Sequence, residues 1–481
     1  MSITKFDDYL FEDSDLAEQY KKLKYDKERD ELNEKVSDSD VNVIILTSRK
    51  EEKDDKDLFR TAGRISKICK SKKIPHYVVF AEDSHIIRHD DGSRTIHNVD
   101  DEKGFPIEAE KTVALIRGSV AKLRSSMNTV TQLERNGICC INSRRTIEAC
   151  SDKYRTILRL ADAALPTPKT ALLQNINAID FAFESIGGNF PVVCKTLSGS
   201  KGVGVFYSES WKSLKSILEM VWKINDEEEL LIQQYIDSPY DLRVHVLGDE
   251  VIAAMKRFVV KEDFRSNYSL GGKIANAKLT SEQKDMCVTA SKAVGVIWGG
   301  VDFILDKKGN PYIIEINSSP GTEGIEKATN LDVVNTIVDY IIDKNNWVKV
   351  AQECGFREIL EVKGIGNLEG KFDTGNGSLC VIHTDEYKID KNIVRWKIGD
   401  KKFKHKYKTI KEVNVGGLRD YSEERPVIEL DVVFDGVIYK AIDFTLGDRN
   451  NRIPILLNRK FMRKANVMVN PSKTFVLTKK E

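Results

Sequence analysis

No apolar run in this chain approaches the roughly 20 residues that a membrane-spanning helix needs. Proline (11) and glycine (30) are scarce for 481 residues, which excludes a collagen-like or proline-rich disordered chain. The eight cysteines, at 69, 139, 140, 150, 194, 287, 354 and 380, form no CxxC pair. That argues against a zinc knuckle and for free thiols in a reducing cytoplasm. The opening MSITKFDDYLFEDSD is acidic and has no apolar h-region, unlike a signal peptide. A P-loop is also missing, since no Gly-Lys-Ser/Thr closes a four-residue spacer.

What is present is 41% hydrophobic and 31% charged, enough for more than one core and about three domains. Charge is nearly balanced overall but uneven along the chain. Residues 1–40 carry 7 basic and 13 acidic groups, and residues 371–481 carry 23 and 15. A basic C-terminal part can favour an acidic partner, either nucleic acid or acidic peptide. Spread over a whole domain, the excess reads instead as a solvated surface, and nucleic acid is not indicated.

Residues 1–40 form a charged arm. From 41 to 150 the strand-like runs VNVIILTS, IPHYVVFA, TVALIRGS and GICCINS alternate with helical stretches, which predicts a small parallel α/β sheet. From 151 to 345 the pattern turns α+β. The hairpin LRVHVLGDEVIAAMKRF turns at Gly248-Asp249, and GVDFILDKKGNPYIIEINSSPG turns at Lys308-Gly309-Asn310. Between them Thr280 and Gln283 are spaced as a capping box, with Gly295 past the helix end. Residues 346–368 read as a connector. Residues 369–481 carry short β runs and one plausible helix, NRKFMRKA, as in a small all-β barrel or sandwich.

The chemistry concentrates in the 151–345 region. Gly199, Gly202 and Gly204 lie between two strand-like runs, a pattern that is usually no more than a hairpin. Lys195, in the apolar run VVCKT, needs an anion or a route to solvent. A β-phosphate suits its point charge, with backbone N–H groups of the glycine loop beside it. Alternation points Cys194 away from the Lys195 face. Glu315 and Asn317, two apart, share a face, and Asp302 can lie opposite them across the hairpin. Two carboxylates and an amide oxygen make a hard oxygen set suited to Mg²⁺, or equally Mn²⁺.

These residues carry a resemblance. SDKYRTILRLADAALPTPKT, FPVVCKTLSGSKGVGV, LLIQQYI, DLRVHVLGDEVIAAMKR, EDFRSN, GVDFIL and IIEINSSPGTEGIEKAT occur in the order and spacing of RimK-type ATP-grasp glutamate ligases. The resemblance covers residues 42–345. It implies a pre-ATP-grasp α/β domain and two ATP-grasp lobes, with ATP and Mg²⁺ as cofactors. It places Lys153 and Lys195 on the nucleotide phosphates. Gln234, Tyr235 and Ile236 line the adenine hinge, although the family commonly has Glu where Gln234 stands, and Asp241 lies toward the ribose. Asp302, Glu315 and Asn317 hold the metal. Arg257, Arg265, Ser266 and Asn267 face the phosphates and the acceptor carboxylate. The implied reaction is ATP-dependent carboxylate–amine ligation through an acylphosphate, adding glutamate or a similar amino acid to a protein or peptide carboxyl end.

The C-terminal part resembles the RimB-type retropepsin-like proteins in KFDTGNGSL, RPVIEL, FTLGDRNNRIPILLNRKFM and VMVNPSKTFVL. Asp373-Thr374-Gly375 matches the aspartic protease signature, in which two carboxylates share a proton. One such triplet per chain implies a homodimer if Asp373 is catalytic. Asn376 and Asn458 depart from the family pattern, which has Ala or Ser at the first position and Gly at the second. His383 and His405 have no third ligand at zinc spacing. Three readings of the whole remain: a protein or peptide glutamate ligase whose β domain trims or binds the product, a small-molecule or peptide amino-acid ligase, and an aspartic peptidase regulated by nucleotide.

Overall fold

The computed structural model describes residues 39–48, 60–99, 101–118, 124–197, 204–259, 273–414, 422–449 and 453–479. Residues 1–38 of the charged arm, Gly199, Gly202, Arg265, Ser266 and Asn267 lie outside them. Two compact units are present, the first running to Val348 and the second from Lys349 on, with the turn Arg88–Gly92 counted in the second.

In the first unit, Asn42–Thr47 is buried at every position. It pairs in parallel with His76–Phe80 on one side and Thr112–Ile116 on the other, and the latter pairs in parallel with Cys139–Ile141. Uninterrupted apolar runs suit a sheet covered on both faces. A second, three-stranded sheet (His85–Arg88, Arg94–His97, Phe105–Pro106) was not legible among the polar residues of 82–110.

Two further sheets follow. The first orders Val205–Ser208, Val192–Thr196, Leu230–Gln234 and Thr170–Leu173. Its apolar face packs Cys194, Leu230 and Ile232 against helices Ile179–Ser185 and Trp211–Ile224. Cys194 therefore points away from Lys195, as alternation predicts, and burial pushes its thiol up to about 12. The other sheet has five strands, ordered Ile274–Asn276, Glu250–Phe258, Tyr240–Leu247, Trp298–Leu305 and Pro311–Asn317. Its apolar face buries Leu242, Val244, Val301, Phe303 and Ile316 with Met286, Cys287 and Ala290 of helix Ser281–Val294. That helix begins with the predicted Thr280–Gln283 capping box and ends on Gly295 in the left-handed region. Gly248, at the hairpin turn, also has positive φ, and a Cβ there would lie 2.6 Å from the Tyr340 hydroxyl.

The second unit closes into a barrel. Strands Arg357–Val362, Gly366–Phe372, Ile455–Leu457, Cys380–His383, Val437–Gly447 and Ser422–Phe434 are hydrogen-bonded in that order, and the last pairs back with the first. Phe372, Phe434, Phe444 and Phe461 fill the interior. Beyond the ring, Lys401–Asn414, Ile393–Ile398 and Glu386–Asp390 extend the sheet. Arg459–Ala465 is the single α-helix among this unit's described residues.

The expectation of a connector over 346–368 is corrected here. Gln352–Gly355 and Arg357–Val362 are strands of the barrel unit, and Gly366–Phe372 begins inside the same stretch. The charged residues of REILEV concealed the alternation. Leu360 and Val362 point into the core, and so does Glu358. Its carboxylate accepts from the backbone N–H groups of Gly355 (2.7 Å), Val476 (2.8 Å) and Thr478 (3.0 Å), and from the Thr478 hydroxyl (2.6 Å). A buried charge with that many donors is a structural tie between the first barrel strand and the chain end.

Candidate active site

The polar face of the four-stranded sheet carries Lys195. Its Nζ donates to Gln233 Oε1 at 2.7 Å, and Gln233 Nε2 donates to Thr170 Oγ1 at 2.8 Å. Gln233 is buried and was missed in the sequence, where Gln234 beside it drew attention. The available signal was alternation, because Gln233 shares a face with Leu231, the residue paired opposite Lys195. Burial lowers the Lys195 ammonium to about 8, partly opposed by Glu315 and reinforced by Lys153. Lys153 starts helix Lys153–Asp162, which Asp152 caps by accepting from Tyr154 and Arg155 N–H. Its pKa is also lowered by burial, with Glu315 and Asp152 opposing. Glu315 is thus near both lysines.

At Gly204 the φ is +77°, and a Cβ would lie 2.3 Å from Thr196 Oγ1. The glycine lets the returning strand hug the Lys195 strand, where Thr196 N–H donates to Gly204 O at 2.9 Å. The hinge residues Gln234, Tyr235 and Ile236 follow strand Leu230–Gln234. Gln234 is exposed, and Tyr235 sits edge-on to Tyr207 with ring centroids 5.2 Å apart.

The polar face of the five-stranded sheet carries the carboxylates. Asp302 is paired directly with Glu315, and Gly300 with Asn317, so the three oxygen donors share one face of one hairpin. Asp302 is only 2% exposed. Arg243, opposite it on the neighbouring strand, binds it through Nε (2.7 Å) and Nη2, and Arg257 Nη2 adds a contact at 2.8 Å. Burial alone would raise the Asp302 carboxyl; the Arg243 and Arg257 charges more than reverse that and hold it below the usual carboxylate range. Arg243 was not singled out in the sequence, where LRVHV read as an ordinary strand.

Arg257 and Asp241 are paired with each other. Arg257 is 5% exposed, and its Nε and Nη2 bind Asp241 at 2.7 and 2.6 Å. The pair is buried, and Arg257 Nη2 extends from it to Asp302. The turn after Glu315 is also braced. Asn142, at the end of the parallel sheet, accepts from Ile297 N–H (2.7 Å) and donates to Trp298 O (2.7 Å) and Ser318 O (2.8 Å). Arg117 donates to Pro320 O at 2.7 Å, and Gly118 N–H to Ser319 Oγ at 2.8 Å. Ser319 N–H in turn donates to Asn317 Oδ1 at 3.0 Å.

The donor chemistry fits a small hard cation: two carboxylates and an amide oxygen on one rigid hairpin. Two lysines near Glu315 suit a polyanion beside that cation. The match with known proteins agrees. A probable alpha-L-glutamate ligase from Picosynechococcus sp. is 38% identical over 218 residues, spanning 45% of this chain and 71% of that protein.

The chain belongs to the RimK-like ATP-grasp family.

A RimK-like ATP-grasp domain model matches residues 150–341, and a model of the retropepsin-like aspartic endopeptidase RimB matches 353–480. A probable alpha-L-glutamate ligase from Vibrio atlanticus is likewise 38% identical over 218 residues, 71% of its length. Among solved structures, a RiPP-associated ATP-grasp ligase from Chryseobacterium gregarium, in complex with ADP and leader and core peptides, matches with a TM-score of 0.51 and 15% identity. It covers 64% of this chain and 99% of its own, a likeness that concerns the fold alone. The RimK-like chain is accordingly an ATP-grasp ligase forming C–N bonds, of a family that uses ATP and Mg²⁺. No helix among the described residues is long and apolar enough to cross a membrane.

In the barrel unit, the Asp373-Thr374-Gly375 turn follows strand Gly366–Phe372. Asp373 N–H donates to Leu457 O (3.0 Å), and Asp373 Oδ1 accepts from Gly375 N–H (3.0 Å). Leu457 belongs to the neighbouring parallel strand. The Asn residues at the two departures from family pattern are both used. Asn458 caps helix Arg459–Ala465 through Phe461 N–H (2.8 Å) and donates to Ser378 O (2.5 Å). Asn376 accepts from Ser378 N–H (2.9 Å) and donates to Leu379 O (3.0 Å). Asn458 has an extended backbone, so its position demands no glycine. His383 binds Arg449 N–H and Asp385, and His405 accepts from Trp396 Nε1.

Proposed function

We propose that the chain joins glutamate, or a similar amino acid, to the carboxyl end of a protein or peptide, at the expense of ATP. The observation that carries this reading is the buried Lys195, held by Gln233, with Lys153 Nζ donating to Leu197 O (3.4 Å) just past the same strand, in a unit that also sets Asp302, Glu315 and Asn317 on one hairpin face. Phosphoryl transfer needs positioning and charge neutralisation more than covalent help. Lys195, oriented by Gln233, and Lys153 bind the nucleotide phosphates, and the family motif alone assigns the Gly199–Gly204 loop to them as well. Gln234, Tyr235 and Ile236 receive the adenine. Asp302, Glu315 and Asn317 would hold Mg²⁺ or Mn²⁺, which when bound would supply positive charge to neutralise the phosphates during the transfer. Arg243 and Arg257 keep Asp302 ionised and in place, and Asp241 anchors Arg257. Arg265, Ser266 and Asn267 are assigned to the acceptor carboxylate by the family motif alone.

The acceptor carboxylate attacks the γ-phosphate and ADP leaves. The neutral amine then attacks the acylphosphate carbonyl: the C–N bond forms, the C–O bond breaks with its electron pair leaving on phosphate, and the amine nitrogen gives up a proton to solvent. Asp373 is the candidate for trimming or binding the product in the retropepsin-like domain. Hydrolysis by an aspartic dyad requires two copies of the chain, each supplying one Asp373.

The test is ADP release with Mg²⁺ and glutamate, with and without protein and peptide acceptors, followed by intact mass. An acceptor-dependent ladder of glutamyl additions, lost in Glu315→Ala, is expected. ADP release only with free amino acids or small metabolites as acceptors would replace the protein-ligase reading. Proteolysis that needs Asp373 but survives Asp302→Ala would favour the peptidase reading.

A further inference from the structure

The lysines of the barrel unit are not spread evenly. Strands Glu386–Asp390, Ile393–Ile398 and Lys401–Asn414 form an antiparallel extension of the barrel sheet, and their register is explicit. Lys388 lies opposite Arg395, which lies opposite Lys404. Glu386 lies opposite Lys397, which lies opposite Lys402. Asp390 lies opposite Ile393, which lies opposite Lys406. Residues paired across a sheet share a face. One face is therefore a three-by-three grid with six cations, two carboxylates and one isoleucine. The other face carries Tyr387, Trp396 and Phe403, then Ile389, Val394 and His405, and buries Val394 and Trp396 in the barrel core.

The carboxylates do not neutralise the grid. Glu386 pairs with Lys397 at 3.1 Å, and Asp390 approaches Arg395 only to 3.9 Å. Lys388, Lys402, Lys404 and Lys406 are exposed. Three cross-strand pairs, Lys388–Arg395, Arg395–Lys404 and Lys397–Lys402, set like charges directly opposite one another, an arrangement that weakens a sheet. A solvated face has no need of that cost, whereas a bound polyanion removes it.

We infer that this face binds a run of consecutive glutamates, the acidic tail that the ligase unit builds. The identity of that tail rests on the glutamyl reading above. The pitch matches: alternate side chains of an extended peptide recur about every 6.8 Å, the same interval that separates Lys402, Lys404 and Lys406 along their strand. Sites for single-stranded nucleic acid add aromatic platforms for the bases to a basic groove, and this face has no aromatic side chain. The surface holds the product by charge, independently of the Asp373 loop.

The test is fluorescence anisotropy of labelled hexaglutamate with the full chain, without ATP, at about 50 mM salt, where charge pairing is little screened. The variant is Lys388→Gln/Arg395→Gln/Lys404→Gln, with Lys212→Gln/Lys284→Gln/Lys308→Gln, exposed lysines of the first unit, as the charge-matched control. The face variant is expected to weaken binding about tenfold or more, the loss of at least one charged hydrogen bond, while melting no lower than the parent because like-charge pairs are removed. The control is expected to stay within about twofold, the scale of a general charge change at the surface. Equal weakening in both triples, no binding to the parent chain, or tighter binding of a single-stranded RNA through the same three residues would overturn the inference. The peptide is synthetic, so a chain that makes no glutamyl ladder yet binds it through this face refutes the ligation reading alone. A chain that makes the ladder but binds hexaglutamate without these residues refutes this inference alone.

Discussion

Arg257 donates through Nη2 to Asp302 at 2.8 Å, and this bond ties the candidate cation site to a buried ion pair one strand further in. Arg257 is in turn gripped by both oxygens of Asp241. A carboxylate poised to hold a metal must stay ionised where burial favours the neutral acid. The guanidiniums of Arg243 and Arg257 perform that task for Asp302.

Asp241→Ala should destabilise the first unit by about 3–5 kcal/mol, the cost of stranding a buried charge. Thermal or urea unfolding of the variant checks this. A loss below about 1 kcal/mol would put the pair in the class of exposed bridges and remove its proposed role as a buttress.

Gln233→Leu leaves Lys195 Nζ without its side-chain acceptor at the proposed phosphate position. A hydrogen bond to a charged group contributes about 1.5–3 kcal/mol, so kcat/KM for ATP should fall about 10- to 100-fold. Gln233→Glu keeps an acceptor and should retain more activity than the Leu variant. Initial rates of ADP release against ATP concentration decide it; an unchanged Leu variant would show that Gln233 is only packing.

Lys195 is lowered to about 8 by burial, so it is charged below that pH and increasingly neutral above it. ATP affinity should therefore be level at lower pH and fall as pH rises through about 8. Lys195→Arg, charged throughout, should flatten the fall without abolishing it, since burial moves Lys153 the same way. The same shift has an opposite consequence for folding: between about 8 and the ordinary lysine value the unfolded chain binds more protons, so this group's contribution to stability rises with pH. Equilibrium binding of a fluorescent ATP analogue from pH 6.5 to 9.5 tests the first statement.

Glu358→Gln replaces one acceptor oxygen with an NH₂ group facing N–H donors. The barrel unit should lose about 2–4 kcal/mol, the range for a buried charged hydrogen-bond network left unsatisfied. Limited proteolysis should cut preferentially near Val476–Thr478 in the variant, because those residues are held by this carboxylate. A cleavage pattern identical to the parent's would show that the tail is held by other contacts.

Much of this protein is written locally. Buried parallel strands announce themselves as continuous apolar runs, the Thr280–Gln283 box and Gly295 delimit their helix, and Glu315 and Asn317 share a face because strand side chains alternate. Lys195 and Asp302 stand out because a charge inside an apolar run is costly unless a partner waits. Other features depended on which strands became neighbours. Gln233 is an unremarkable polar residue until the strand beside it delivers Lys195. Arg243, Arg257 and Asp241 form one cluster with Asp302 only because three strands bring them into register. Glu358 reads as connector because all its donors but Gly355 lie about 120 residues away along the chain. The basic excess of residues 371–481 read as dispersed until the cross-strand pairing stacked six cations on one face. Local sequence determined the elements and the chemical types at their faces; pairing between distant strands decided which charges meet, since a side chain's partner across a sheet is set by register and not by its place in the chain.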